Sequence, residues 1–302
     1  MREGKKSSSA ALVAALRGFG KYLPSPLREA APDVYGLRWA GAPYSTADAL
    51  LARFPALAGA LFRRGPVCHV TAAHVLRTRA IDDAVRSVAA SGGRQVLILG
   101  AGLDARALRL HASLPTGIAW FEVDVPASQA AKRAALASSV TGDSSPNVRY
   151  LTHDFEMEGS DALVVKLREG GLRSSAPLLT IVEGVIPYLS AGACESLFAL
   201  VHSISAPGSA IVFSYVPPSG AQSLSPKDPN WWLLKWLGFV GESPRFWGWE
   251  TAQLPAWLSA RKWKLLWDKS YDVIADELGA PRNMAARVGA DFQRVALAMR
   301  VQ

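Results

Sequence analysis

Arg94-Gln-Val-Leu-Ile-Leu-Gly-Ala-Gly-Leu-Asp-Ala-Arg-Ala-Leu-Arg109 is the stretch on which the fold turns. Its first half is an unbroken apolar run stopped by two glycines, and its second half resumes with helical spacing. This predicts a buried strand, a tight turn and a helix. Gly100 and Gly102 lack a Cβ, so the backbone there can turn sharply and let a ligand approach the N-terminus of the next helix. A second apolar run, Ile118-Ala-Trp-Phe-Glu-Val-Asp124, ends on acid 22 residues after Gly102. That spacing sets Glu122 or Asp124 at the tip of a neighbouring parallel strand, where a carboxylate can accept both hydroxyls of a ribose. The expected ligand is adenosine-like.

Working outward, strands alternate with helices from residue 94 onward. Residues 148–152 predict a third strand before His153-Asp154-Phe155, 177–182 a fourth before Glu183-Gly184, and 209–215 a fifth. Helices are expected over 128–136, 161–168 and, capped by Ser190, through His202. The alternation implies an α/β fold with a mostly parallel sheet covered on both faces. Asp104, Glu122, Asp124, Asp154 and Glu183 then fall at the C-terminal ends of successive strands, the edge at which open α/β sheets bind ligands.

Residues 1–90 are rich in Ala, Leu and Arg and broken by six prolines, and are expected to form a helical cap ahead of a second domain, 91–302. The clearest helix covers 70–90 and carries Arg77 and Arg79. Residues 217–249 interrupt the alternation with proline clusters and Trp231, Trp232, Trp236, Trp247 and Trp249. Because this insertion leaves the end of the fifth strand, it is expected to act as an aromatic lid, with part of its aromatic face packed on the core. A helix over 250–260, a sixth strand over 264–271 and a seventh over 292–301 follow. The short connection between the last two suggests an antiparallel end strand.

The formal charge is +8, but the basic residues are spread along the chain without a dense stripe, so no nucleic-acid partner is expected. An anionic small molecule is compatible with that charge. Cys68 and Cys194 are far apart and lack metal-ligand spacing, which suits a reducing, cytoplasmic setting with free thiols and no metal. The first 16 residues imitate a secretory signal until Arg17 cuts the apolar stretch, and a tail leading into a helix is expected instead. No run approaches the ~18 apolar residues of a membrane span, so no membrane partner is expected.

Four motifs in order carry a family resemblance: Arg77-Thr-Arg-Ala-Ile-Asp82; Leu99-Gly-Ala-Gly-Leu-Asp104 with Arg106 and Arg109-Leu110; Phe121-Glu-Val-Asp-Val-Pro126; and Glu183-Gly-Val-Ile-Pro-Tyr-Leu189. The chain resembles the leucine carboxyl methyltransferase family, including its bacterial natural-product O-methyltransferases. The resemblance implies a Rossmann-like seven-stranded methyltransferase sheet and S-adenosylmethionine as cofactor. By motif position Arg77 would hold the methionine carboxylate and Glu183 its ammonium. Gly100, in the turn with Gly102, would approach the methionyl and ribose region. Asp124 would bind the ribose hydroxyls, and Asp154 and Phe155 would flank adenine. Ala105 and Pro187 depart from the family pattern.

Methyl transfer from sulfonium to oxygen is an in-line displacement that depends on positioning and on exclusion of water. A carboxylate acceptor is already ionised at neutral pH, whereas a phenol benefits from a base. None of His69, His74, His111, His153 and His202 has a recognisable orienting partner in sequence. The expected activity is therefore O-methylation of a carboxylate on a small metabolite, with Tyr188, Arg245 and Trp249 as acceptor contacts. Alternatives are a hydroxyl or phenol acceptor, a protein C-terminal carboxylate, an NAD(P)-dependent oxidoreductase using Gly100-x-Gly102-x-x-Ala105, and a non-catalytic scaffold.

Overall fold

The computed structural model describes residues 7–137, 146–245, 248–280 and 292–301. The apolar runs become strands β1 (Gln95–Leu99), β2 (Ala119–Asp124), β3 (Asn147–Thr152), β4 (Leu179–Val182) and β5 (Ala210–Tyr215), followed by β6 (Trp263–Ser270) and β7 (Arg294–Arg300). They form one sheet in the order β3-β2-β1-β4-β5-β7-β6. The first five are mutually parallel; β1, β2, β4 and β5 are the buried, largely apolar runs expected of strands covered on both faces, while β3, at the edge, is only partly buried. β7 runs antiparallel to both β5 and β6. The antiparallel strand is thus one place in from the edge, a correction to the expected end strand. Val295, Ala296, Leu297 and Ala298 are all buried and need neighbours on both sides, whereas β6 exposes Lys264 and Leu266 and tolerates the edge.

Six helices precede the sheet: α1 (Ser8–Phe19), α2 (Leu27–Ala30), α3 (Gly36–Ala40), α4 (Tyr44–Arg53), α5 (Pro55–Arg63) and α6 (Pro66–Ala90). The last starts four residues earlier than its apolar periodicity suggests, because Pro66 has the fixed φ that suits a first helical position. Between and after the strands come α7 (Arg106–Leu110), α8 (Pro126–Ala137), α9 (Ser160–Glu169), α10 (Ala191–Ile204), α11 (Pro218–Gln222), α12 (Pro229–Phe239), α13 (Leu254–Ser259) and α14 (Tyr271–Leu278). The Ser190 hydroxyl caps α10 by accepting from the Ala193 N–H at 3.1 Å, as expected. α13 covers only the centre of the helix expected over 250–260.

Ile81 and Val85 of α6 share one buried cluster with Ile98, Ile181, Val212 and Val295, so this helix is itself a layer on the sheet. Leu163, Leu197 and Phe198 from α9 and α10 cover the opposite face with Leu97, Phe121 and Phe213. A third cluster joins Ala14 of α1 and Leu37 of α3 to Leu103 beside the glycine turn. The aromatic insertion divides its side chains. On α12, Leu237 is buried, while Trp232, Trp236 and Phe239, spaced on one helical face, are 63 %, 36 % and 90 % exposed. Trp249 packs in the core, and Trp247 lies outside the described residues. Both cysteines are free and buried, and among the described residues no helix is long and apolar enough to cross a membrane.

α1 and α3 cross at glycine. A Cβ on Gly36 would stand 2.2 Å from the Ala14 carbonyl oxygen, and one on Gly18 2.8 Å from the Leu37 nitrogen. Backbone cannot yield as a flexible side chain can, so Gly36→Ala is expected to lower stability by about 1–3 kcal/mol in urea unfolding.

Candidate functional site

The sheet order reverses between β1 and β4, and Gly100 and Glu183 stand just past the ends of those two strands. Such a reversal opens a crevice at the carboxyl edge. Gly100 has φ +70°, and a Cβ there would lie 2.3 Å from Val185 Cγ2, so only glycine fits. The Gly100 and Ala101 N–H groups both donate to the Val123 carbonyl, at 2.8 and 3.0 Å, and pin the turn to β2. Asp124 completes the attachment. Its carboxylate accepts from the Gly102 N–H at 2.6 Å and the Val125 N–H at 2.7 Å, and from Ser128. Burial pushes the Asp124 carboxyl above its usual range despite these donors.

Glu183 lies between two arginines. Arg77 Nε meets its Oε1 at 2.7 Å and Arg106 Nη1 its Oε2 at 2.6 Å. Burial alone would raise the Glu183 carboxyl, but Arg106 and Arg77 outweigh it and hold the group well below the carboxylate range. Arg106 also pairs with Asp104, and its Nε with Asp82 at 2.8 Å, while Arg109 reaches the other oxygen of Asp82 at 3.0 Å. The helix expected directly after Gly102 is only five residues long and begins at Arg106. Asp104 takes the Arg106 N–H at 2.7 Å in a turn of its own, so carboxylates and guanidiniums, not a long helix N-terminus, set the charge here.

Tyr271, at the start of α14, hydrogen-bonds Arg77 and donates to Gln293 Oε1 at 2.5 Å. Burial, only partly offset by Arg77, pushes its phenol up to about 12. No sequence signal links Tyr271 to Arg77, 194 positions upstream. His74 lies one turn before Arg77, with Nδ1 2.8 Å from the Val70 carbonyl, so Nδ1 carries the proton. Burial, and then Arg77, pull its pKa down to about 3, and the ring is neutral at ordinary pH.

Two further contacts roof the turn. Arg17 of α1 donates to the Leu103 carbonyl at 2.6 Å and pairs with Asp33 at 2.9 Å, and Ala10 sits against Gly102. Glu242, just past α12, accepts from the Ser8 and Ser9 N–H groups at 2.7 and 2.8 Å and from the Ser7 hydroxyl at 3.2 Å. The insertion therefore caps the open end of α1. Tyr188 hydrogen-bonds Ser9 at the same junction, and burial, with Glu242 adding, raises its phenol to about 12.

The other expected contacts divide. Arg245 lies beside the Tyr188 turn, its N–H donating to the Pro187 carbonyl at 2.6 Å and its exposed guanidinium 3.5 Å from Glu156. Asp154 follows β3, but its carboxylate accepts the Glu156 N–H at 3.0 Å in a local turn, and Phe155 packs edge-on to His153 at 5.1 Å. Trp249 is a correction. It is 4 % exposed and packed among Phe198, Phe213, Tyr215 and Trp257, with ring centroids 4.4–6.1 Å away, so it has no free face for an acceptor. Glu122, one pleat back from Asp124 on β2, is buried and pairs with the buried Lys132.

A family model described as leucine carboxyl methyltransferase matches residues 62–202. A Frankia alni protein named "Putative S-adenosyl-L-methionine-dependent methyltransferase" is 33% identical over 244 residues, 79% of this chain and 80% of that protein. A Parafrankia relative with the same description is 34% identical over 63% of this chain, and the match spans only 57% of its own length. Two crystal structures, a DUF574-family protein from Streptomyces avermitilis and a "putative methyltransferase" from Thermobifida fusca, each superpose with a TM-score of 0.60 at 16% identity. They cover 99% and 100% of this chain, and 99% and 97% of their own. At that identity they speak to the fold.

Arg106→Met would leave Asp82, Asp104 and Glu183 short of their shared cation, and a loss of about 3–5 kcal/mol in urea unfolding is expected. Glu122 gives a pH signature. Burial, only partly offset by Lys132, raises its folded pKa to about 7. A raised folded pKa gives stabilisation that is complete below the unfolded value, near ~4.3, and lost as pH rises through the folded one. The stability of the native protein minus that of Glu122→Gln should therefore fall between about pH 4.5 and 7, read from unfolding midpoints across that range.

Proposed function

The chain belongs to the leucine carboxyl methyltransferase family, and from that premise we propose that it is an S-adenosylmethionine-dependent O-methyltransferase acting on a carboxylate of a small metabolite of natural-product biosynthesis. The observation that carries this reading is the Arg77–Glu183 pair set against the Gly100–Gly102 turn. A guanidinium and a carboxylate side by side complement the carboxylate and ammonium of an amino-acid zwitterion. Arg77 would hold the methionine carboxylate and Glu183 the ammonium. Asp124, an acceptor with lone pairs beyond those its present donors use, would take the ribose hydroxyls. Gly100 and Gly102 let the backbone approach closely, and Asp154 and Phe155 would flank adenine. The fit has support in the chain's own atoms, since among the described residues no acceptor meets the buried Arg106 Nη2 beside Glu183.

When bound, S-adenosylmethionine supplies a methyl group on a sulfonium, activated for in-line displacement. The protein's share of the work is position and dryness. Arg77 and Glu183, fixed by Arg106 and Tyr271, orient the amino-acid end, while α1 and the Glu242 cap exclude water. Tyr188 and Arg245 are the proposed acceptor contacts, and an exposed guanidinium suits an anionic one. The acceptor class rests on the histidine nearest the Arg77–Glu183 pair among the described residues. The His74 ring, with its pKa near 3, removes a phenolic proton poorly, whereas a carboxylate has none to lose.

The test is calorimetric titration with S-adenosylhomocysteine and with NAD(P)H, followed by turnover against carboxylic acids and phenols. The sulfur nucleoside should bind, with Asp124→Asn and Glu183→Gln each weakening it about tenfold or more. Methyl esters should form from carboxylic acids, with kcat/KM flat above about pH 6. Binding of NAD(P)H alone would remove the methyl-transfer reading, and turnover confined to phenols would remove the carboxylate.

A further inference from the structure

Residues 49–67, Ala-Leu-Leu-Ala-Arg-Phe-Pro-Ala-Leu-Ala-Gly-Ala-Leu-Phe-Arg-Arg-Gly-Pro-Val, contain only Ala, Leu, Arg, Phe, Pro, Gly and Val. Apart from three arginines, no side chain in this run can form a hydrogen bond. The run makes the end of α4, all of α5 and the start of α6. Its inward residues Leu51, Ala58 and Phe62 are buried, and Phe62 packs against Phe19 and Tyr22 with ring centroids at 5.8 and 5.4 Å. That face holds the segment to the cap. A second apolar set, Leu50, Phe54, Leu57 and Leu61, is spaced at intervals of four, three and four residues and points outward, each member 40–52 % exposed. Leu50, Phe54 and Leu57 line one open depression with Arg53, Pro55 and Ala56.

Leu50 on α4, Phe54 at the break and Leu57 and Leu61 on α5 thus leave a cluster of large apolar side chains exposed, which buried residues on the other side of these helices do not cover. The charge along the run has one sign. Arg53, Arg63 and Arg64 are exposed, and no Asp or Glu occurs from residue 49 to residue 81. The preceding acid, Asp48, is neutralised by Lys21 at 2.7 Å.

We propose that the α4–α5 surface docks the protein on an anionic lipid bilayer, lying on the membrane without crossing it. Leucine and phenylalanine insert at the boundary of the acyl chains, while arginines at their flanks take lipid phosphates in forked hydrogen bonds. A second copy of the chain fits poorly, because a two-fold contact through this stripe would bring Arg53, Arg63 and Arg64 toward their own counterparts. An acidic protein would match the charge, yet the run has no polar side chains besides the arginines with which to fix register. A lipid surface needs neither register nor shape. The proposal is separate from the methyl-transfer reading, for these residues take no part in the glycine turn or the Arg77–Glu183 pair.

The experiment is co-sedimentation of the full chain with vesicles of phosphatidylcholine alone and of phosphatidylcholine with about a quarter phosphatidylserine. Two variants are compared, Leu57→Asp with Leu61→Asp, and Arg63→Glu with Arg64→Glu. All four positions are exposed, so both variants should fold, and unchanged thermal melting by circular dichroism verifies it. The native chain should partition onto the anionic vesicles, more weakly as salt is raised, and each variant should bind them about tenfold less or weaker still. No sedimentation with anionic vesicles, equal sedimentation with neutral ones, or variants that bind like the native chain would each overturn the proposal. So would a native dimer in analytical ultracentrifugation that the leucine variant dissociates, since the stripe would then be occupied by a second copy.

Discussion

A single guanidinium, 1 % exposed, holds together three carboxylates from three distant parts of the chain. Arg106 contacts Asp82 in the long cap helix, Asp104 in the glycine turn and Glu183 beyond β4. A buried ion is costly unless opposite charges lie beside it, so these segments must converge or the charges would stand uncompensated in a low-dielectric interior. This requirement binds the helical cap to the sheet more specifically than the apolar contacts of α6 alone, because charge pairs have direction and dispersion does not. Arg109, on the next turn, shares Asp82 and strengthens the same attachment.

From this anchor the crevice acquires its electrostatic character. Glu183 is fixed as a carboxylate with its two oxygens facing different arginines, and Arg77 is held by Glu183 on one side and Tyr271 on the other. Groups restrained in this way need little reorganisation to meet a charged ligand, which is the condition under which electrostatics assist a reaction. The roof is built with equal economy. Arg17 ties α1 to the glycine turn, and Glu242 brings the insertion onto the first turn of the same helix.

The sheet and the floor of the crevice were legible in the sequence because both are local. Each of β1, β2, β4 and β5 is an apolar run, and the residue that matters stands at its end, so Gly100, Asp124 and Glu183 could be read from pattern. Glu122 shows where that reading stops. It lies two residues before Asp124 on the same face of β2, one pleat further from the strand's end, where it is buried and needs Lys132. Trp249 was misread for a related reason. Tryptophans clustered in sequence carry no sign of direction, and this one turns inward while Trp232 turns out. Arg17, Tyr271 and Glu242 were invisible because each acts across a long separation through one polar contact, and hydrophobic periodicity does not encode such a contact.

The position of β7 has a kinetic consequence. β6 precedes β7 in the chain but lies beyond it in the sheet and has no other strand beside it. It therefore joins the sheet only through β7, either after β7 has paired with β5 or together with it, and it brings Leu265 and Trp267 to that pairing. Completion of the sheet is a joint event of its last two strands, with high contact order and a template for wrong pairing open in the meantime. The lysines of β6, at positions 264 and 269, are the kind of residue that keeps a waiting edge from recruiting another chain.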